Sequence, residues 1–162
     1  MLNFLKRKKS KTVELKAPIT GKVVELSEVP DEVFSQKLAG DGVAIKPENN
    51  VVHAPVDGEI TQIFPTKHAV GITSKQGVEI LIHIGIDTVN MQGEGFTAFV
   101  EKGDKVKAGD KLIEFDTAKI EEKAKSTITP VIVTNGDVLE SMEKSLGDVT
   151  EKEDAVLTLK LK

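Results

Sequence analysis

The sequence predicts an all-β fold: an antiparallel β-sandwich or barrel with a few short helices and an internally duplicated β-unit. Three observations carry that reading. The stretches VELKAPITGKVVEL (13–26), VVHAPVDGEITQIF (51–64), GVEILIHIGI (77–86) and ITPVIVTN (128–135) are rich in Val, Ile and Thr, residues whose branched side chains suit a pleated surface. Gly, Pro, Asn and Asp punctuate these stretches, the turn chemistry of short antiparallel strands. The chain also repeats itself. Ala17-Pro18-Ile19-Thr20-Gly21-Lys22-Val23 recurs as Ala54-Pro55-Val56-Asp57-Gly58-Glu59-Ile60, and Gly103-Asp104-Lys105-Val106 as Gly109-Asp110-Lys111-Leu112. Two copies indicate a β-unit folded onto its duplicate; a solenoid needs about three or more.

The elements follow in order. Residues 1–11, MLNFLKRKKSK, hold five basic groups and no acid, so 1–12 read as a basic, flexible N-terminal arm and 13–162 as a single domain. Leu2, Phe4 and Leu5 ahead of the cations give residues 1–11 the means of a weak contact with an anionic membrane surface. The apolar stretch is shorter than the ~7–15 residues of a secretory signal, and the charges follow it, so the expected location is the cytoplasm. Asp31 after Pro30 predicts a helix start, with the helix running to Leu38. Gly40-Asp41-Gly42 reads as a turn. Strands at 68–74 and 77–84, joined by Lys75-Gln76-Gly77, predict a hairpin. Val138, Leu139, Met142 and Leu146 share one helical face and predict a short helix near the end.

Composition excludes several functions. The 162 residues include no Cys, Trp or Tyr and six Phe, with a net charge of −4. Disulfides, thiolate sites and cysteine nucleophiles are absent. An acidic chain poor in aromatics is not a nucleic-acid binder. Neither GxxxxGK[ST] nor GxGxxG occurs, so nucleotide binding finds no support and no cofactor is expected.

Chemistry then turns on three histidines, His53, His68 and His83. Strand alternation puts Leu81 and His83 on one face and Ile80, Ile82 and Ile84 on the other. Position alone leaves two readings of His83 open: a ring looking out of a greasy surface, or a buried ring satisfied by backbone. The hairpin predicts that His68 lies near His83. One neutral imidazole can then act as nucleophile while the other donates a hydrogen bond to an arriving anion. Thr66 is close enough to orient His68. Two histidines without Cys or an HExxH helix do not make an intrinsic metal site, though His68 and His83 could share a metal with a partner's carboxylate. His53 has no visible companion and reads as incidental. Val33, Phe34, Phe64, Val70 and Leu81, flanked by Asp31 and Asp87, read as an apolar docking patch whose acidic rim steers a basic partner.

These residues carry a resemblance to the glucose-type enzyme IIA proteins of the bacterial phosphoenolpyruvate-dependent sugar phosphotransferase system. The matching stretches include Val29-Pro30-Asp31-Glu32-Val33-Phe34, Ala54-Pro55-Val56-Asp57-Gly58, Thr66-Lys67-His68-Ala69, His83-Ile84-Gly85-Ile86-Asp87-Thr88-Val89 and Gly93-Glu94-Gly95-Phe96. Together they span about residues 13–160. The resemblance implies a β-sandwich and a phosphotransferase component acting through phosphohistidine. It implies that His83 is the phosphorylated residue, His68 the second active-site histidine and Thr66 its orienting group. Asp31, Val33, Phe34, Phe64, Asp87 and Val89 would form the partner-binding rim. The partners it implies are HPr as donor, a cysteine of a membrane permease's IIB domain as acceptor, and regulatory targets. The chain is expected to be a free-standing IIA protein. Phosphoryl transfer requires positioning and charge stabilisation, with an apolar surround protecting the intermediate from water. A backbone carbonyl near Gly85 would hold the other nitrogen of His83. Val70, Leu81 and Ile84 keep the family's apolarity with a different shape, which bears on partner preference. Two rivals stand beside this reading. Val100 through Leu112 resembles the Gly-Asp turns of biotinyl and lipoyl carriers, with Asp116-Thr117-Ala118-Lys119 a weak echo of their modified site. A purely regulatory binding protein would use the same patch without turnover.

Overall fold

A computed structural model describes residues 11–162. The strands are β1 (Thr12–Lys16), β2 (Gly21–Glu25), β3 (Asp41–Pro47), β4 (Val51–His53), β5 (Gly58–Ile63), β6 (Ala69–Ser74) and β7 (Glu79–His83). They continue as β8 (Phe96–Ala98), β9 (Lys105–Val106), β10 (Lys111–Phe115), β11 (Thr129–Val133), β12 (Leu139–Lys144), β13 (Gly147–Val149) and β14 (Ala155–Leu161). Two short α-helices are described, α1 (Glu32–Ser35) and α2 (Thr117–Lys123). All strand pairings are antiparallel. The membrane-contact reading of the cationic arm lies, through residue 10, outside the described residues. Lys11 and Thr12 are already tied down: Thr12 opens β1 opposite Lys160, and the Leu161 N–H donates to the Lys11 carbonyl (2.7 Å).

Three sheets are seen among these residues, ordered β1-β14-β12, β4-β10-β8 and β13-β2-β3-β11-β7-β6-β5-β9. The eight-stranded order reads as a mirror about its centre, and the two small sheets match strand for strand. The first unit is therefore β1, β2, β3, β11, β12, β13, β14. The second is β4 through β10, inserted between the third and fourth strands of the first. The seam obeys the same two-fold relation. The Lys16 N–H donates to the Pro55 carbonyl (2.9 Å) and the His53 N–H to the Pro18 carbonyl (2.8 Å), residues related by the 37-residue repeat. The second repeat is likewise a pair of like turns: Glu101 N–H bonds Asp104 Oδ2 (2.8 Å) and Lys107 N–H bonds Asp110 Oδ2 (2.9 Å).

The main core lies between the large sheet and the two small ones, with Ile45, Ile60, Ile72, Ile80, Ile82, Ile84, Val131 and Leu157 among its members. A second cluster covers the opposite face of the large sheet. It exists because the two units differ in one loop. The second unit joins β5 to β6 by residues 64–68, whereas the first joins β2 to β3 by residues 26–40. That longer loop lays Leu26, Val29 and Phe34 over Val24, Ala44 and Ile132. Its helix α1 is shorter than the sequence predicts. Asp31 caps it by accepting from Val33 N–H (2.8 Å). Lys37, at φ 59°, ends it, with Leu38 N–H bonding the Val33 carbonyl and Lys37 N–H the Phe34 carbonyl, a Schellman closure.

Two expectations about strands and turns fail. The expected helix at 138–146 is mostly the strand β12. A register shift between Leu139 and Ser141 inserts an extra residue, which puts Leu139 and Met142 on the same face at helical spacing. Gly40-Asp41-Gly42 runs into β3 instead of turning. Gly42 is there because a Cβ at that position would lie 2.1 Å from the Val131 carbonyl oxygen. No helix of the described residues is long and apolar enough to cross a membrane.

Candidate active site

The hairpin of β6 and β7 closes through the Gly77 N–H to Ser74 carbonyl bond (2.9 Å) and pairs Ala69 with His83. His68 immediately precedes Ala69, so both histidines reach the open end of the hairpin. The backbones are joined there: the Ile84 N–H donates to the His68 carbonyl (2.7 Å). Alternation sends Ile80, Ile82 and Ile84 into the main core and leaves Leu81 and His83 on the other face. The rings stand edge to face, with centroids 4.9 Å apart and planes at 80°. Phe34 packs against His83 at 4.9 Å and Phe64 against His68 at 5.4 Å.

Each ring is held at Nδ1 by a different kind of group. His83 Nδ1 lies 2.8 Å from the Gly85 carbonyl oxygen. A carbonyl only accepts, so Nδ1 carries the proton and Nε2 keeps a lone pair. His68 Nδ1 lies 2.6 Å from Thr66 Oγ1. A hydroxyl donating to Nδ1 leaves Nε2–H as the His68 donor. Among the described residues neither Nε2 has a hydrogen-bond partner. With the Thr66 hydroxyl as donor, one acceptor nitrogen stands beside one donor nitrogen. Burial of His68 pushes its pKa down to about 4, and the neighbouring His83 adds to the effect. Burial also lowers His83, against opposing pulls from the Gly85 carbonyl and the Asp31 carboxylate. Both rings are therefore neutral near pH 7.

The Gly85 carbonyl can reach back because Gly85 sits at φ +72°. A side chain would not fit: a Cβ would meet Thr88 Cγ2 at 2.7 Å and the Ser126 carbonyl oxygen at 2.8 Å. Asp87 follows, also left-handed at φ 68°, and accepts from Asn90 Nδ2 (2.7 Å). Thr88 and Ser126, which pin this turn, are missed in the sequence. Thr88 gives no signal because its hydroxyl is spent on a backbone oxygen, and Ser126 contributes mainly its carbonyl.

The candidate docking residues divide by exposure. Val33 and Val89 are about half exposed (48% and 49%), Asp87 is exposed, and Asp31 and Phe64 are partly covered. Phe34 is 7% exposed, part of the second cluster and a wall for His83. Val70 does not belong to a surface patch. It is fully buried in the main core, because its odd-numbered neighbours along β6 face the other way. Asp31, Glu32, Ser35, Asp87 and Lys125 line a groove together. Among the described residues no cluster of three or more His, Asp or Glu converges as a metal site.

His53 is not incidental. It is buried (3% exposed) on the seam between the units, with Nδ1 3.1 Å from the Pro18 carbonyl oxygen and Nε2 3.7 Å from Glu151 Oε2. Glu151 in turn accepts from Thr20 N–H (3.2 Å) and Asn49 Nδ2 (3.0 Å). Sequence spacing hides this because Glu151 lies nearly a hundred residues away. The carrier-like stretch Asp116-Thr117-Ala118-Lys119 caps and begins α2, with Asp116 accepting from Lys119 N–H (3.1 Å), and is no hairpin tip.

Residues 13–139 match the family described as phosphoenolpyruvate-dependent sugar phosphotransferase system, EIIA 1. The chain is 57% identical over 145 residues to the "PTS system glucose-specific EIIA component" of Bacillus cereus, covering 88% of each chain. It is 50% identical over 155 residues to the protein of the same name from Haemophilus influenzae, covering 96% of this chain and 93% of that one. Glucose permease IIA from Mycoplasma capricolum superposes with a TM-score of 0.85 at 45% identity, covering 91% of this chain and 96% of that one. With that fold and that sequence in common, the chain belongs to the EIIA 1 family of the phosphoenolpyruvate-dependent sugar phosphotransferase system.

Proposed function

We propose that residues 13–162 form one phosphocarrier module in which His83 Nε2 accepts a phosphoryl group from phospho-HPr and passes it to a cysteine of a permease IIB domain. The observation that carries this reading is the pairing of two neutral rings. Each is tied at Nδ1, by Gly85 in one case and Thr66 in the other, and with the Thr66 hydroxyl donating, an unprotonated Nε2 stands beside a protonated one. In the first step the Nε2 lone pair of His83 forms the bond to phosphorus. The bond to the donor's ring nitrogen breaks, and that nitrogen keeps the electron pair. The Nδ1 proton stays on the Gly85 carbonyl bond. His68 Nε2–H then faces the incoming phosphoryl oxygens and offsets their charge. In the second step the acceptor's sulfur bonds to phosphorus and the pair returns to His83 Nε2.

The surroundings support this. Phe34 and Phe64 flank the rings, and an apolar wall slows hydrolysis of the intermediate. Exposed Val33 and Val89 with Asp31 and Asp87 supply an apolar centre and acidic rim for a basic partner. The relatives named as glucose-specific components of a PTS system support sugar uptake as the process served. A regulatory role would use the same face, read out by the phosphorylation state of His83.

Incubation with phosphoenolpyruvate, enzyme I and HPr tests the proposal. Acid-labile label should map to His83. His83→Ala should take up none, and His68→Gln should take up label but fail to deliver it to IIB. Label on a His83→Ala protein, or normal delivery by His68→Gln, would overturn the assignment.

A further inference from the structure

We propose that Thr88 is a positioning residue for His83, acting through the two peptide planes that flank Gly85. This rests on the reading of His83 as the phosphoryl acceptor. The nucleophilic tautomer depends on one bond, from His83 Nδ1–H to the Gly85 carbonyl (2.8 Å). That carbonyl belongs to the Gly85–Ile86 peptide. In a trans peptide the C=O and N–H point in opposite directions, and the Ile86 N–H is bound to the Ser126 carbonyl (2.9 Å). Fixing the N–H on Ser126 therefore aims the C=O back at His83.

The preceding peptide is pinned as firmly. Its Ile84 carbonyl accepts the Thr88 hydroxyl at 2.6 Å, and Thr88 is fully buried (0% exposed). Thr88 Cγ2 also fills the space where a side chain at Gly85 would lie. Gly85, at φ +72°, is free to swing if either plane is released. The Ser126 carbonyl holds one plane and the Thr88 hydroxyl holds the other. The Lys125 N–H to Ile86 carbonyl bond (3.0 Å) ties the same strip of chain to the turn from behind. The Thr88 hydroxyl bonds the Ile84 carbonyl and not a ring nitrogen, so its influence on chemistry passes through the aim of the Gly85 carbonyl.

The test uses the full chain with Thr88→Val, which keeps the branched shape and removes the donor, and Thr88→Ser, which keeps the hydroxyl. Ring nitrogen NMR shifts report the His83 tautomer without any partner protein, and label from phospho-HPr reports uptake. Thr88→Val should lower the Nδ1–H population of His83 and slow uptake about tenfold, the scale of lost supporting hydrogen bonds around a functional imidazole. Thr88→Ser should restore both to within about twofold. An unchanged tautomer and rate in a folded Thr88→Val protein, or a Thr88→Ser protein as slow as Thr88→Val, would overturn the proposal. If Thr88→Val does not fold, the wild-type hydroxyl proton decides: slow exchange and a coupling to the Ile84 carbonyl support the clamp, and fast exchange refutes it. A wild-type chain that takes no label sinks the phosphocarrier reading, while the tautomer measurement still reads the clamp.

Discussion

Lowering the pH from about 7.5 to about 4.5 forces a choice on His68, which gains a proton readily only in the unfolded chain. His68 is 4% exposed, and its pKa falls from an ordinary 6.5 to about 4 on folding. Between those values the unfolded state binds more protons than the native one. Stability therefore falls as pH drops through 6.5 toward 4, and above that window the term vanishes. The whole shift corresponds to about 3 kcal/mol at ~1.36 kcal/mol per pKa unit, most of which is lost by pH 4.5. With no Trp or Tyr for fluorescence, urea unfolding followed by far-UV circular dichroism is the suitable assay. It should be run across this range on wild type and His68→Gln. The lowered carboxylates of Asp41 and Glu151 and the lowered His83 also lose stability in acid in both proteins, so the difference reads His68 together with its coupling to His83. Wild type should lose about 2–3 kcal/mol more than the variant. Parallel pH profiles would refute the assignment of a buried, neutral His68.

Three further perturbations probe the site and its frame. Gly85→Ala forces a side chain into positive φ and into contact with Thr88 and Ser126. It should cost about 2–4 kcal/mol in urea unfolding and slow label uptake. Thr66→Val removes the hydroxyl that holds His68 Nδ1. Uptake from phospho-HPr should stay within about twofold while delivery to IIB drops about tenfold, measured as two separate single-step transfers. Glu151→Ala strips partners from Thr20, Asn49 and His53 on the seam. It should cost about 1–2 kcal/mol and leave phosphoryl uptake unchanged.

What the sequence could disclose followed from range. His68 and His83 meet because a hairpin brings together residues close in sequence, and period-two alternation then decides which way they face. The Gly85 carbonyl was within reach of the same reasoning, being two residues from the ring it holds. Thr88 was not, because nothing in a pattern of residue types tells a hydroxyl spent on the backbone from one exposed to solvent. His53 and Glu151 were out of reach for a different reason: their contact is made by the seam between the units. The strand β12 was misread because a bulge breaks alternation and imitates a helical face. The repeat announced a duplication, but not that one copy interrupts the other, which only pairing reveals.

That interruption sets an order of assembly. Residues 51–115 hold all seven strands of one half in an unbroken run and can collapse as soon as they leave the ribosome. The other half begins earlier yet must wait, since Thr12–Lys16 finds its neighbour only at Ala155–Leu161, the last of the described strands. Strand β1 thus stays unpaired long after β2 has found β3. The histidine pair, lying wholly within the early half, is roofed by Phe34 from the other, whose cluster closes only when Ile128 and Ile132 arrive.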